Sequence, residues 1–463
     1  MAVVTVPEVP GELAGASGGA PASPRKDRET EYRITTLDSG VRVVTERMPS
    51  VRSVALGFLI GAGSVSEHDG EAGISHLLEH MLFRGTESFG SEEIDQIFDA
   101  MGAEINAGTD KEATVLYTRV LDRHLQRAFE VMGEMVFQPR FGELETEREV
   151  VLEEIAMYED DPQERVFDVL GEAVFGSHPL GRAVIGTAQV VGSVTLDQLA
   201  AFHASRYRPH EIVISAAGSI EHDALVELAK SLPIAGSDGG SPSANGRETP
   251  PGQPEFARRV RFSEKDTEQY HLCLGGAGVG RKDERRFALR VLEGVLGSTS
   301  SSRLFQEVRE RRGLAYSVFS FSNMYAHTGE IGLYVGTRPD NLGQALAVIA
   351  TELERCVAHP ASEAELTRSR ENLKGRVVLS MESTGARMSH LGGSLLHEMP
   401  ILSMDEVIER IDAVTLDELQ ALAAGLFAVE NLSIACVGPD ERAFQTAIEP
   451  LATIATAAQG TGG

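Results

Sequence analysis

Cysteine is scarce in this chain, with only Cys273, Cys356 and Cys436 among 463 residues. Three widely spaced thiols argue against a disulfide framework and against a cysteine zinc site, and they read as buried core residues. Long hydrophobic runs are also missing; no apolar stretch approaches the 18 or more residues of a membrane span. Residues 1–30, rich in Pro, Gly, Ala and Ser, lack the apolar core of a signal peptide and the Arg-rich pattern of a transit peptide, so a cytoplasmic location is expected. Cations are few: 42 Lys and Arg face 69 Asp and Glu, a formal charge of -27. That balance disfavours nucleic acid and anionic membrane surfaces as partners. An acidic chamber selecting basic peptides and an acidic surface serving solubility both fit, because a charge total does not say where the charge lies.

What is present is an ordinary globular composition, 42% hydrophobic and 24% charged. At this length one core does not suffice, and two or three domains are expected. The most informative feature is His76-Leu77-Leu78-Glu79-His80. Side chains four apart share a helix face, so both imidazoles can reach one ion. Glu79 projects beside them, where its carboxylate can take a proton from a water without being a ligand. The pattern can arise by chance in a chain with 13 His. Chance does not account for Ile74, Leu77, Leu78, Met81, Leu82 and Phe83, which wrap the polar triplet in apolar side chains and carry ionisable groups into a buried helix.

Catalytic zinc usually has three protein ligands, and the acidic helix expected over 143–159 is the obvious source of the third. There Glu147 and Glu154 lie two helical turns apart on a shared face, whereas Glu153 points elsewhere. Ordinary solvated helix charge is the competing reading for Glu147 and Glu153.

The inverted motif, the segment Glu147-Arg148-Glu149-Val150-Val151-Leu152-Glu153-Glu154-Ile155 and the 73 residues between His80 and Glu154 resemble the pitrilysin (insulinase) family of zinc peptidases. The resemblance covers about residues 31 to 440 and is closest to the short two-domain bacterial members and the catalytic subunit of the mitochondrial processing peptidase. It implies that His76, His80 and Glu154 hold one Zn2+ per chain, that Glu79 is the general base, and that Glu147 supports catalysis without ligating. Asn106-Ala107-Gly108-Thr109 matches the family's Asn-Ala-x-Thr strand, which implies that Asn106, Ala107 and Thr109 hold extended substrate by backbone pairing. Arg309 and Tyr316 match an Arg-x-x-x-x-Leu-x-Tyr pattern whose members bind substrate and steady a developing oxyanion across the chamber. In isolation, Arg309 beside Arg311 and Arg312 would read as a solvated basic run. His178-Pro179-Leu180-Gly181-Arg182 and Tyr207-Arg208-Pro209 also fit family segments and read as structural.

The stretch from Ala235 to Pro254 is nearly devoid of apolar side chains and reads as a flexible linker. The expected organisation is a tail at 1–30, a zinc-binding domain at 31–234, a linker at 235–255, a metal-free homologous domain at 256–455 and a second tail at 456–463. The halves repeat: Val194-Thr195-Leu196-Asp197 recurs as Val414-Thr415-Leu416-Asp417, with Gln198 or Glu418 completing a capping box. Aligning Gly61-Ala62-Gly63 with Gly276-Ala277-Gly278 sets His76 and His80 opposite Val291 and Val295, so one metal site per chain is expected.

Strands are expected at 32–36, 41–46, 53–60, near 104–109, 113–120 and 211–217. Helices are expected at 72–84, from a Ser91 cap to Met101, and at 122–136, 143–159, 164–175 and 195–205. The fold class is therefore α+β: two duplicated domains, each a mostly antiparallel sheet covered by helices, together forming half of a clamshell. The function implied is a zinc metalloendopeptidase that cleaves unfolded peptides inside the chamber of a homodimer. A noncatalytic partner subunit would show lost ligands, and none is lost. A metal-storage protein would have no use for Glu79.

Overall fold

The computed structural model describes residues 32–234 and 252–460, so the N-terminal tail and nearly all of the linker lie outside the described residues. The first half contributes strands β1 (Tyr32–Thr36), β2 (Arg42–Arg47), β3 (Ser53–Ile60), β4 (Ile105–Thr109), β5 (Thr114–Leu121) and β6 (Ile212–Gly218). Its helices are α1 (Ile74–Met81), α2 (Ser91–Met101), α3 (Leu125–Phe137), α4 (Leu144–Asp160), α5 (Pro162–Phe175), α6 (Ala188–Val191), α7 (Leu196–Arg206) and α8 (His222–Lys230). The second half contributes β7 (Val260–Glu264), β8 (Tyr270–Gly278), β9 (Ala315–Met324), β10 (Gly329–Thr337) and β11 (Ser433–Gly438). With them come α9 (Arg286–Leu296), α10 (Leu342–Ala358), α11 (Glu363–Ser380), α12 (Thr384–Leu396), α13 (Met404–Ala413), α14 (Leu416–Leu426) and α15 (Glu441–Gly460).

The sheets run β1-β2-β6-β3-β5-β4 and β7-β11-β8-β10-β9. Each is antiparallel except for one parallel pair, β2 with β6 and β7 with β11, at matching places in the two orders. The α+β class and the two related halves are thus as the sequence indicates. Both capping boxes form, at Thr195 with Gln198 and at Thr415 with Glu418.

Several boundaries differ for local reasons. Gly90, not Ser91, caps α2, because the Ser91 hydroxyl donates instead to the Phe83 carbonyl at 2.9 Å. The 122–136 helix opens as a 3-10 turn over Asp122–His124. The 164–175 helix starts earlier, since Asp161 accepts from the Gln163 and Glu164 amides and Pro162 occupies the first helical position. The short helix α6 was not expected. The tail expected from 456 begins inside α15, whose alanine-rich end has high helix propensity.

Strand β3 reads Ser-Val-Ala-Leu-Gly-Phe-Leu-Ile and is buried along nearly its whole length, so both faces of the first sheet are covered. Val54, Leu56, Phe58 and Ile60 face a core shared with α1, α3, α4, α7 and α8. Ala55 and Leu59 face the other way, with Val44, Val213 and Ala217, onto Met388 and Leu391 of α12. That helix belongs to the second half. Reciprocally, Val166, Val169, Leu170 and Val174 of α5, from the first half, pack on Cys273, Tyr334, Ala435 and Val437 of the second sheet. Close seating of α12 needs Gly392, where a Cβ would stand 2.6 Å from a Leu59 methyl and 2.8 Å from Ser215. The Ser215 hydroxyl donates to the Met388 carbonyl at 2.7 Å across the same contact. The halves are interlocked by exchanged helices. Among the described residues, no helix is long and apolar enough to cross a membrane.

Candidate metal centre

Helix α1 begins at Gly73, whose φ of 98° is open to glycine and costly for other residues. A Cβ there would also meet the Ile185 carbonyl at 2.6 Å. The first turn is capped from outside by Glu67, which accepts from the Gly73 amide at 3.0 Å and the Ser75 amide at 2.9 Å. A carboxylate at this end satisfies orphan amides and complements the helix dipole. Burial raises the Glu67 pKa, and these amides and Arg182 oppose it. The cap fixes the start of the turn that carries His76, Glu79 and His80.

His76 and His80 lie one turn apart with ring centroids separated by 4.7 Å. Helix α4 crosses beneath and presents Glu154, whose oxygens stand 3.8 Å from His76 Nε2 and 3.4 Å from His80 Nε2. Two ligands at zinc bonding distance in a tetrahedral arrangement are separated by about 3.3 Å, so a carboxylate facing two Nε2 atoms at these spacings fits a zinc ion. Among the described residues, His76, His80 and Glu154 form the one group of this kind, with ligand atoms all within 4.8 Å of one another. Burial, with the neighbouring His80, lowers the His76 pKa to about 4, which leaves its ring neutral and available as a ligand.

Glu147 is 2% exposed, so it is not a solvated helix charge. Its Oε2 lies 3.1 Å from His80 Nδ1, and its other oxygen pairs with Arg84. An ionised carboxylate can only accept, so His80 carries its proton on Nδ1 and turns the Nε2 lone pair toward Glu154. Glu153 is exposed, away from the site.

Glu79 points into the same space from α1. Thr109 Oγ1 donates to its Oε2 at 2.5 Å, and burial raises its pKa. Thr109 ends β4, the edge of the first sheet, where Asn106 and Gly108 face out and Ile105, Ala107 and Thr109 face in. The Ala107 amide donates to the Asn106 side chain at 2.8 Å, so this edge donor is covered locally.

A cavity of about 370 Å³ opens on His76, Glu79, Thr109 and Glu154. From the second half it is lined by Asn323, Tyr325 and Glu330. Sequence reasoning missed these, together with Lys111 and Asp168 on the near wall. Burial raises Glu330 to about 7, and Asn323 Nδ2 donates to it at 3.1 Å. The available signal was a lone carboxylate in the otherwise apolar run Gly329-Glu330-Ile331-Gly332-Leu333.

Arg309 and Tyr316 are brought together, but not with this centre. The Arg309 guanidinium lies 4.5 Å from the centre of the Tyr316 ring, and Tyr316 is 79% exposed. Both line a separate cavity of about 450 Å³ with Gly336 and Asn341. Tyr316 starts β9 and Asn323 nearly ends it; at the rise of a strand the two are roughly 20 Å apart.

Comparisons with known proteins place the chain in a family. The family described as Insulinase (Peptidase family M16) matches residues 42–188, which hold every residue of the candidate centre. The Peptidase M16 inactive domain matches residues 193–373. The chain is 40% identical over 406 residues to the uncharacterized zinc protease YmxG of Bacillus subtilis, covering 87% of this chain and 97% of that protein. It is 40% identical to the uncharacterized zinc protease Rv2782c of Mycobacterium tuberculosis, covering 88% and 93%. In fold it is similar to a protease from Helicobacter pylori, with a TM-score of 0.81 and 22% identity over 89% of this chain and 100% of that one. A peptidase M16 inactive domain from Pseudomonas fluorescens gives a TM-score of 0.80 at 23% identity, over 89% and 98%. The chain therefore belongs to peptidase family M16, the insulinase family.

Proposed function

We propose that the chain is a zinc metalloendopeptidase that hydrolyses unfolded peptides. The observation that carries this is the convergence of His76 Nε2 and His80 Nε2 on Glu154, with the Glu79 carboxylate beside them and outside the ligand group. The zinc protease names of the relatives support the choice of metal, and the one ligand group among the described residues supports one ion per chain. His76, His80 and Glu154 would hold a zinc ion, which would supply a Lewis acid to polarise the scissile carbonyl and acidify water. The Glu79 carboxylate would take a proton from the attacking water and hand it to the leaving amine. Glu147 keeps His80 in the ligating tautomer. The free edge of β4 pairs with an extended peptide and presents its carbonyl to the centre.

Arg309 and Tyr316 are suitable donors to a developing oxyanion, yet they line a different cavity of the same chain. This supports a homodimer in which each chain's pair serves the metal centre of the other, the two closing around a chamber that admits unfolded peptides. The acidic balance supports a reading without nucleic-acid or anionic-membrane partners.

The test is to incubate the purified protein with a mixture of unfolded peptides, with and without a chelator, beside the Glu79→Gln variant. Cleavage should stop on chelation, and the variant should keep its zinc while losing ~10²-fold or more in rate. A wild-type protein that holds zinc and cleaves nothing would instead be a noncatalytic partner subunit.

A further inference from the structure

The match to an Asn-Ala-x-Thr strand places Thr109 among groups that hold substrate, but the structure gives its side chain a different partner. The sharp turn after β4 is set by Asp110, whose Oδ1 accepts from the Glu112 and Ala113 amides, each at 2.7 Å. That turn puts Thr109 directly opposite Thr114 in the β4–β5 ladder. Thr109 is on the inward face, where its Oγ1 lies 2.5 Å from Glu79 Oε2 and 3.2 Å from Thr114 Oγ1.

A count of hydroxyl protons decides the direction of these contacts. Thr114 Oγ1 lies 2.9 Å from the Ala62 carbonyl, which can only accept, so the single Thr114 proton is used there. Thr109 has one proton and two acceptors within reach, a neutral hydroxyl and a carboxylate. The charged acceptor at the shorter distance takes it. Tyr207, buried nearby, interacts with both Thr114 and Glu79.

We infer that Thr109 is a positioning residue for the general base: its hydroxyl anchors Glu79 Oε2 and leaves Oε1 as the atom that receives the proton from water. This rests on the reading of the chain as a peptidase with Glu79 as base. It gives the Thr109 side chain a role separate from the backbone pairing that the resemblance implies. Strand pairing on the β4 edge uses backbone groups and does not need this hydroxyl.

Thr109→Val removes the hydroxyl and Thr109→Ser keeps it. For Thr109→Val, zinc content and KM should stay at wild-type values while kcat falls ~10- to 100-fold, the effect of losing one hydrogen bond to a charged group. Thr109→Ser should recover most of that loss. A readout independent of turnover is the fluorescence anisotropy of a short fluorescein-labelled unstructured peptide, taken as the best cleaved of the mixture. Its Kd should be the same for Glu79→Gln and for Glu79→Gln/Thr109→Val, and the double variant should be no slower than Glu79→Gln alone.

A raised KM with unchanged kcat, or weaker binding by the double variant, would return Thr109 to substrate binding. Loss of zinc from Thr109→Val would make its role structural. A wild type that cleaves no peptide overturns the peptidase reading and this inference together. A cleaving wild type matched by Thr109→Val overturns this inference alone.

Discussion

Glu147 reaches His80 from behind, with Oε2 3.1 Å from Nδ1, while the opposite ring nitrogen faces Glu154 at 3.4 Å. One histidine is thus held between two carboxylates of the same helix, one that orients it and one placed to share its metal. The two turns separating Glu147 from Glu154 on α4, about 10 Å of rise, leave room for the imidazole and its two contacts between the carboxylates. Outer partners of this kind typically contribute ~10- to 100-fold to metal affinity. Glu147→Gln should weaken zinc binding by that amount, Glu154→Gln by more, and the exposed Glu153→Gln not at all. Competition against a mild chelator gives the ranking; fastest release from Glu147→Gln would make Glu147 the ligand.

The exchanged helices give a second prediction. Leu170 is 1% exposed on a first-half helix that covers the second sheet, and Leu391 is 1% exposed on a second-half helix that covers the first. Truncating either to Ala should cost ~2–5 kcal/mol, the range for buried leucines. Because each helix stabilises the opposite half, both halves should lose structure together. Denaturation followed by circular dichroism and by zinc release should give coincident transitions; separate transitions would show that the halves fold independently.

These two cases also show what the sequence could convey. The His76–His80 pair was legible because a four-residue spacing on a helix is a local relation, and Glu154 followed from a two-turn spacing together with the family likeness. Glu67 was not legible as the cap of α1, since a 3-10 turn separates them and no periodicity connects them. Nor was Glu330, whose neighbours across the cavity come from the other half. The apolar stripe of α5 says that it is buried, and nothing in it says by which sheet. Likewise the motif containing Arg309 and Tyr316 identifies the pair without its location, which depends on where β9 lies in the second sheet.

Glu330 makes a third prediction, one of pH dependence. Its carboxyl is pushed up from 4.5 to about 7 by burial, against the opposing influence of Asn323 and Lys111. A carboxyl raised in the folded state stabilises the fold below its unfolded pKa, relative to higher pH, and that contribution is lost as pH rises through the folded value. Glu330→Gln keeps an acceptor for Asn323 and removes the ionisation. The variant should therefore gain stability over wild type between about pH 4.5 and 7, reaching at most roughly 3 kcal/mol at pH 8. Urea denaturation at pH 5 and pH 8 checks this, and an equal difference at both pH values would show that Glu330 titrates normally.

The position of Arg309 and Tyr316 sets the last prediction. Within one chain they line a cavity separate from that of His76, Glu79 and Glu154, so in the proposed homodimer a site that uses both sets draws them from two chains. Arg309→Ala should keep its zinc and lose turnover, as should Glu79→Gln. In a mixed dimer, however, the Arg309→Ala chain supplies an intact metal centre and the Glu79→Gln chain supplies an intact Arg309 and Tyr316. One of its two sites is then complete. Random pairing of equal amounts makes half the dimers mixed, so unfolding and refolding the two variants together should restore about a quarter of the wild-type rate. If Arg309 acts on the centre of its own chain, every centre in the mixture carries one defect and the activity stays at the level of the separate variants. Peptide turnover before and after joint refolding therefore distinguishes a shared site from one confined to a single chain.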